Sequence, residues 1–188
     1  MVNNHSYPNN PLLFTTARLL LRPIQPADEA LLHTLWTNPG VRKFLWDDVV
    51  IPLEKVKEII ALNTQYFADH QWGLWLITLK PSHEVIGFTG LWYFFDENQP
   101  QLLYGLHPDY WGQGYAVEAS QKIIEYAFHT LGFAYITASC DKPNIASIKV
   151  AEKLGMQWVK EEEIDGKPTV FYRLDAERWA ESMVQRAK

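Results

Sequence analysis

Residues 103–128 read LYGLHPDYWGQGYAVEASQKIIEYAF. The stretch passes from a short apolar strand through a Pro-Asp turn into Gly112-Gln113-Gly114, and then directly into a periodic helix. Ala116, Ala119, Ile123 and Ala127, with Ile124, Phe128 and Leu131 beside them, recur at three and four residues and mark one buried stripe. Glu118, Gln121, Lys122 and Glu125 fall on the other side, with Glu118 and Lys122 in the favourable i, i+4 order. Gly132 ends the helix. Glycines let backbone approach backbone without a Cβ in the way, and a helix leaves its first amide N–H groups without intrahelical partners. Such a junction suits an anion such as phosphate. A strand-loop-helix unit whose glycines merely turn the chain gives the same local pattern, so both readings stand at this point.

Composition bounds the rest. The 188 residues, 47% hydrophobic and 14% aromatic, suit one folded domain with a substantial core. A net charge of −5 with scattered basic residues argues against a nucleic-acid partner. The single cysteine, Cys140, excludes an intrachain disulfide framework and reads as a strand-end thiol. His33, His70, His83, His107 and His129 lack metal-ligand spacing, so no metal is expected. No apolar run reaches eighteen residues, and the N-terminal MVNNHSYPNNP lacks an apolar signal core. The expectation is a cytoplasmic protein without membrane contact.

Outward from the central stretch, residues 1–15 read as a loose lead-in, and a strand is expected from Ala17 to Ile24. A helix follows, begun by Pro26 and stopped by Asn38-Pro39-Gly40. Val41 to Ile51 shows no period and reads as an aromatic-rich loop. Pro52 opens a second helix with Val56, Ile59, Ile60, Asn63 and Phe67 on one face. Trp72 to Leu79 and Val85 to Phe95 read as a hairpin. After an Asp96 to Pro100 turn, Gln101 to His107 supplies a third strand. Beyond the central helix come a strand from Ala134 to Ser139 and a short helix from Asn144 to Leu154. Gln157 to Ile164 and Thr169 to Leu174 pair around Asp165-Gly166. A last helix carries Trp179 and Met183, with Asp175 as its cap. This order implies an α/β domain with a mixed sheet.

That order, with YWGQGYA at Tyr110 to Ala116, Asn144-Ile145-Ala146-Ser147 followed by Glu152-Lys153-Leu154-Gly155-Met156, and the opening Ala17-Arg18-Leu19-Leu20-Leu21-Arg22-Pro23, resembles the GCN5-related N-acetyltransferase (GNAT) superfamily. The form PxYWGxGYAxEA is similar to the branch that acetylates ribosomal-protein N-termini. Trp111 stands where the superfamily usually has Arg or Gln. The resemblance implies a mixed, mostly antiparallel sheet flanked by helices, spanning 1–188 as one domain, with an acyl-CoA cleft between two splayed central strands. It implies acetyl-CoA as cosubstrate, its pyrophosphate on Trp111, Gly112, Gln113, Gly114, Tyr115 and Ala116. Main-chain groups around Tyr104 and Leu106 would meet the pantetheine arm, and one of their N–H groups would polarise the thioester carbonyl. Asn144 and Ser147 would join the cofactor site.

The catalytic side chains usual in the superfamily are missing: Gln101 stands at the place of a Glu base, and Ala151 at the place of a Tyr acid. The ribosomal branch implies Ser147 as general acid, with a helix serine bonded to backbone as the plain alternative. Glu162 or Glu163 is the candidate base, although alternation sends Glu162 to the face opposite its neighbours and three consecutive acids often lie in solvent. Lys149 and Lys153 share a helix face, as a solvated pair or as phosphate contacts. Trp36, Phe44, Trp46, Trp72, Trp75, Trp92, Tyr93, Phe94 and Phe95 divide between core and an aromatic acceptor pocket.

An α-amine with pKa near 8 is roughly a tenth neutral at pH 7, whereas a lysine ε-amine near 10.4 is neutral at about one part in 2,500. A base-poor site therefore favours an α-amine. The expected function is acetyl transfer to a protein or peptide N-terminal α-amine in a ternary complex. The alternatives are a small amine such as an antibiotic or polyamine, and a non-catalytic acyl-CoA-binding module. A homodimer through exposed strands or the last helix is compatible with the sequence.

Overall fold

A computed structural model describes residues 12–95 and 97–186. Eight strands and six α-helices follow in chain order: β1 Phe14–Thr15, β2 Leu19–Pro23, α1 Glu29–Thr37, α2 Pro39–Leu45, α3 Leu53–His70, β3 Leu74–Leu79, β4 Val85–Trp92, β5 Gln101–Leu106, α4 Tyr115–His129, β6 Tyr135–Asp141, α5 Ile145–Lys153, β7 Gln157–Ile164, β8 Lys167–Asp175 and α6 Ala176–Arg186. Two single 3-10 turns, Pro26–Asp28 and Pro108–Tyr110, lead into α1 and towards α4.

Strands β1 to β5 form one antiparallel sheet in sequential order, and β6-β8-β7 form a second. Alternation decides what each face of the first sheet buries. Leu19, Leu21, Trp75, Ile77, Ile86, Leu102 and Leu106 point into a core shared with Ile123, Ile124 and Ala127 of α4. Leu74, Leu76 and Phe88 point the other way, against Leu32, Leu35 and Trp36 of α1 and Val56, Ile59 and Ile60 of α3. The expected α/β architecture is present, with helices on both faces of the sheet. The two sheets meet at β5 and β6, neighbouring strands that exchange no ladder, the splay expected between the two central strands. Contacts between their chain segments ascend together: the Gln99 side chain donates to the Tyr135 carbonyl, and Gln101 bonds to Ser139. The two strands thus run in the same sense and begin in contact, the arrangement that α4 imposes as crossover between them.

Two expectations are corrected. Phe14–Thr15 forms β1, paired with Leu20 and Leu21, so the lead-in ends earlier than residue 15. Phe14 is buried and stacks on Trp75 at 5.5 Å, which ties this short strand to the core. Residues 1–11 of the lead-in, and Asp96 of the β4–β5 turn, lie outside the described residues. The segment expected as a loop from Val41 contains α2, because Asn38-Pro39 ends one helix and starts another. The Asn38 side chain accepts the Gly40 N–H at 2.9 Å, and Pro39 occupies a first-turn position where no N–H is needed.

The Arg-Pro end of β2 is fixed by a fork. Arg22 donates to both carboxylate oxygens of buried Asp28 at 2.8 and 2.6 Å, and Asp28 also accepts the Gln25 N–H at 2.8 Å. Asn63, buried on α3, accepts the Leu74 N–H at 2.6 Å and anchors the start of β3.

Candidate active site

The turn after β5 is held open by its glycines. Gly112 and Gly114 sit at φ 75° and 82°, a left-handed conformation that strains any residue with a Cβ. Gly114 is the N-cap of α4, and Glu118 N–H closes the first helical bond on its carbonyl at 3.0 Å. Among the described residues, no acceptor answers the amides of Gly112, Gln113, Gly114, Tyr115, Ala116 and Val117. These donors, with the positive end of a fifteen-residue helix behind them, suit a pyrophosphate. Trp111 to Gly114 are exposed, so the cradle faces solvent.

The cradle is braced by residues a hundred positions away. Arg18, at the mouth of β2, donates through Nε to Glu118 Oε2 at 2.6 Å and through its backbone N–H to Oε1 at 2.9 Å. The Thr16 hydroxyl donates to the same Oε1 at 2.5 Å. Arg18 also donates to the Gln113 carbonyl at 3.0 Å and lies over the Tyr115 ring at 4.2 Å. Burial of Glu118 works against ionisation, but Thr16 and Arg18 outweigh it and hold the carboxyl below its ordinary value. The expected Glu118–Lys122 pair is therefore absent: Glu118 belongs to Arg18, and Lys122 turns to Glu125 at 3.0 Å. Both Arg18 and Glu118 lie in quoted motifs, yet only the fold brings them together.

On the other side, α2 docks on the turn. A Cβ at Gly40 would lie 2.5 Å from Pro108 and 3.2 Å from Trp111, so glycine there permits close approach. Asn38, its Oδ1 committed to Gly40, turns Nδ2 to His107 Nε2 at 3.1 Å. His107 is thereby a clamp, with its Nδ1 accepting the Asp109 N–H at 3.4 Å as the N-cap of the 3-10 turn.

Strand parity sets the rest of the cleft. His107 N–H bonds to the Ile86 carbonyl at 2.9 Å, so odd residues of β5 exchange bonds with β4 while the peptide groups of Tyr104 and Leu106 face β6. With no ladder between β5 and β6, the Tyr104 peptide groups and the Leu106 N–H open onto the gap. The Leu106 carbonyl is taken: the Trp111 indole N–H donates to it at 2.8 Å. Trp111 thus ties the loop back to the strand.

Ser147 lies in the first turn of α5, whose N-cap Asn144 accepts the Ser147 N–H at 3.2 Å. The Tyr104 hydroxyl reaches across the gap, 3.0 Å from the Ser147 carbonyl and 3.1 Å from Ser147 Oγ. Given to the carbonyl, the one phenolic proton leaves Ser147 its own. Burial pushes the Tyr104 phenol well above its ordinary value, so it stays protonated. Cys140, half-buried at the end of β6, has its thiol raised by burial against a hydrogen bond from Ser147, which keeps it protonated at neutral pH. Tyr104, Ser147 and Cys140 thus meet at one point of the cleft.

Glu162 and Glu163 are not brought to that point. Glu162 pairs with Thr169 across the β7–β8 ladder and is held by Lys160 at 2.7 Å, while Glu163 lies exposed opposite Pro168. Lys149 and Lys153 are exposed on α5. Of the aromatic residues, Trp36, Trp72 and Trp75 are buried core, Phe94 is exposed, and Phe95 packs on Phe171 at 5.9 Å. Among the described residues, no group of three or more His, Cys, Asp or Glu is placed to hold a metal. No described helix is long and apolar enough to cross a membrane.

Comparison with known proteins agrees with this geometry. Residues 18–157 match the Acetyltransferase (GNAT) domain family. The chain is 31% identical over 143 residues to the uncharacterized N-acetyltransferase p20 of Bacillus licheniformis, covering 76% of this chain and 80% of the relative. Among solved structures, RimL, a ribosomal L7/L12 α-N-protein acetyltransferase in complex with coenzyme A, superposes with TM-score 0.74 at 18% identity, covering 88% of this chain and 99% of the other. Spermidine N-acetyltransferase from Vibrio cholerae, in complex with CoA and spermine, superposes with TM-score 0.72 at 16% identity, covering 88% and 99%. With its open β5–β6 gap, its unpaired amide cradle before α4 and a matching segment that holds both, this chain belongs to the GNAT acetyltransferase family.

Proposed function

We propose that the chain transfers the acetyl group of acetyl-CoA to a protein or peptide N-terminal α-amine, directly and in a ternary complex. The observation that carries the choice of acceptor is Gln101, a fully buried amide where a carboxylate would serve as base, on a strand, QLLYGL, that contains no acid. Deprotonation is then left to groups off the strand, and an amine with pKa near 8 gives up its proton about 2.4 units more readily than a lysine near 10.4. Both named structural neighbours act on amines, one on a protein N-terminus and one on spermidine. The motif forms at Tyr110 to Ala119 and Ala17 to Pro23 favour the first.

Bound acetyl-CoA supplies an activated thioester. The amides from Gly112 to Val117 hold its pyrophosphate, and the Tyr104 and Leu106 peptide groups orient the arm between β5 and β6. The Leu106 N–H, its own carbonyl occupied by Trp111, is a fixed donor for the thioester oxygen. Ser147, steadied by Tyr104, hands a proton to the departing sulfur.

Free-thiol release measured over N-terminal peptides, matched lysine peptides, spermidine and amino-sugar antibiotics tests the reading. Preferred turnover of α-amine peptides between pH 7 and 10 is expected. Equal kcat/KM for matched α- and ε-amines would sink the acceptor assignment, and acetyl-CoA binding without acceptor-stimulated release would point to a binding module.

A further inference from the structure

Gln101 occupies the place of a base without the chemistry of one, and its contacts show what it does there. Its side chain has no exposed surface and points to the sheet face that carries α1 to α3, opposite to Leu102. Nε2 donates to both oxygens of the Glu97 carboxylate, at 2.8 and 3.0 Å, and Oε1 accepts from the Ser139 hydroxyl at 2.8 Å. A carboxylate only accepts, so this contact fixes which way the amide faces. Glu97 belongs to the β4–β5 connection and is half-buried. Among the described residues it has no cation within ion-pair distance, unlike Glu161 with Lys142 and Glu162 with Lys160. Ser139 belongs to β6, so the Glu97–Gln101–Ser139 chain spans both central strands where they begin to part. Phe95, two residues before Glu97, packs on Phe171 and adds an aromatic wall.

We propose that Glu97 is the base that receives the acceptor's ammonium and takes its proton, and that Gln101 is the residue positioning it. The assignment rests on the acetyl-transfer reading above. The ammonium gives one proton to Glu97, and the freed nitrogen pair forms the N–C bond to the thioester carbonyl carbon. The C–S bond breaks with its pair on sulfur. A second proton lost by nitrogen balances the one that sulfur takes up through Ser147, and the proton on Glu97 passes to solvent. Products are the N-acetyl amine, CoA thiol and one released proton. Gln101 Nε2 can hold the carboxyl in place before and after this transfer, because a protonated carboxyl keeps one accepting oxygen.

The test uses the full chain, acetyl-CoA and an alanyl tripeptide with a free N-terminus. Glu97→Gln is expected to lower kcat/KM at pH 7 by about 10²-fold, the usual scale for a lost acid-base group, with the deficit narrowing as pH rises to 9. Calorimetry on the CoA-loaded protein should show weaker tripeptide binding, with acetyl-CoA affinity unchanged. Added formate should restore turnover to Glu97→Ala, and Gln101→Leu should lower kcat while leaving acetyl-CoA affinity intact. Should Glu97→Gln lose acetyl-CoA binding and therefore its fold, Glu97→Asp decides: the charge remains but is withdrawn by one methylene, so kcat falls while tripeptide affinity holds. Turnover and tripeptide affinity within twofold of wild type in Glu97→Gln would overturn the assignment. A wild-type chain that binds acetyl-CoA but releases no thiol with the tripeptide, spermidine or an amino sugar would overturn the transfer reading, and this one with it.

Discussion

Arg18 and Glu118, a hundred residues apart, meet through two contacts at once: guanidinium Nε to Oε2 at 2.6 Å and backbone N–H to Oε1 at 2.9 Å. The start of β2 is thereby fastened to the first turn of α4, on which the amide cradle depends. Arg18 side chain is 45% exposed, so its ion pair is screened and contributes on the order of 1 kcal/mol rather than several. Its effect should therefore appear more in cofactor affinity than in stability. For Arg18→Ala, acetyl-CoA affinity is expected to fall about fivefold, the equivalent of roughly 1 kcal/mol, with Tm little changed. Isothermal titration and a thermal scan of the same variant check both halves. Arg18→Lys keeps the charge but not the fork, and should recover only part of the loss.

The same contact predicts an acid limit. Glu118 has its folded pKa lowered, so its contribution is complete above the ordinary carboxylate range and is lost as pH falls through the lower folded value. Acetyl-CoA affinity should therefore hold down to about pH 5 and decline below it. In Glu118→Gln the affinity starts lower and this part of the acid decline disappears, which titrations from pH 6 to pH 3.5 would reveal.

Gly114→Asp should weaken acetyl-CoA binding by at least about tenfold. A Cβ at this position is strained at φ 82° and would stand 3.5 Å from the Arg18 guanidinium, so the new carboxylate competes with Glu118 for it. It also sets negative charge where phosphate is expected. The turn is exposed, so circular dichroism should show the fold retained. Unchanged affinity in the folded variant would remove the turn from the site.

Ser147→Ala and Tyr104→Phe separate proton delivery from binding. Ser147→Ala is expected to lower kcat by about 10- to 100-fold with acetyl-CoA affinity close to wild type, because the amide cradle is untouched. Tyr104→Phe removes the hydroxyl that steadies Ser147, and should give a smaller fall in kcat together with about 1 kcal/mol of lost stability for the partly buried hydrogen bond. Single-turnover thiol release and denaturant melts measure the two effects. Equal rates for both variants and wild type would exclude this pair from the chemistry.

Local order carries its signal in adjacent residues, and those parts of the protein were legible in the sequence. The stripe on α4, the glycines before it, the Asp165-Gly166 hairpin and the Asn144 cap all follow from spacing within a few positions. Asn38-Pro39 shows the limit of such signals, because the same pair that stops one helix caps the next, and the close approach of Gly40 to Pro108 and Trp111 that seats this second helix on the turn is visible only in the fold. The candidate site was legible as a phosphate-holding turn and as a serine after Asn144. Its bracing and its candidate base were not. Arg18 finds Glu118 across a hundred residues, and Ser139 meets Gln101 across thirty-eight. Read along the chain, Glu97 is one more acid in a turn. The sequence by itself determined the α/β order and the donor cradle, since helix periodicity and glycine backbone freedom are local properties. Tertiary structure alone decided which polar groups meet across the β5–β6 gap, because hydrogen bonds between distant segments depend on strand parity and splay that no short window of residues encodes.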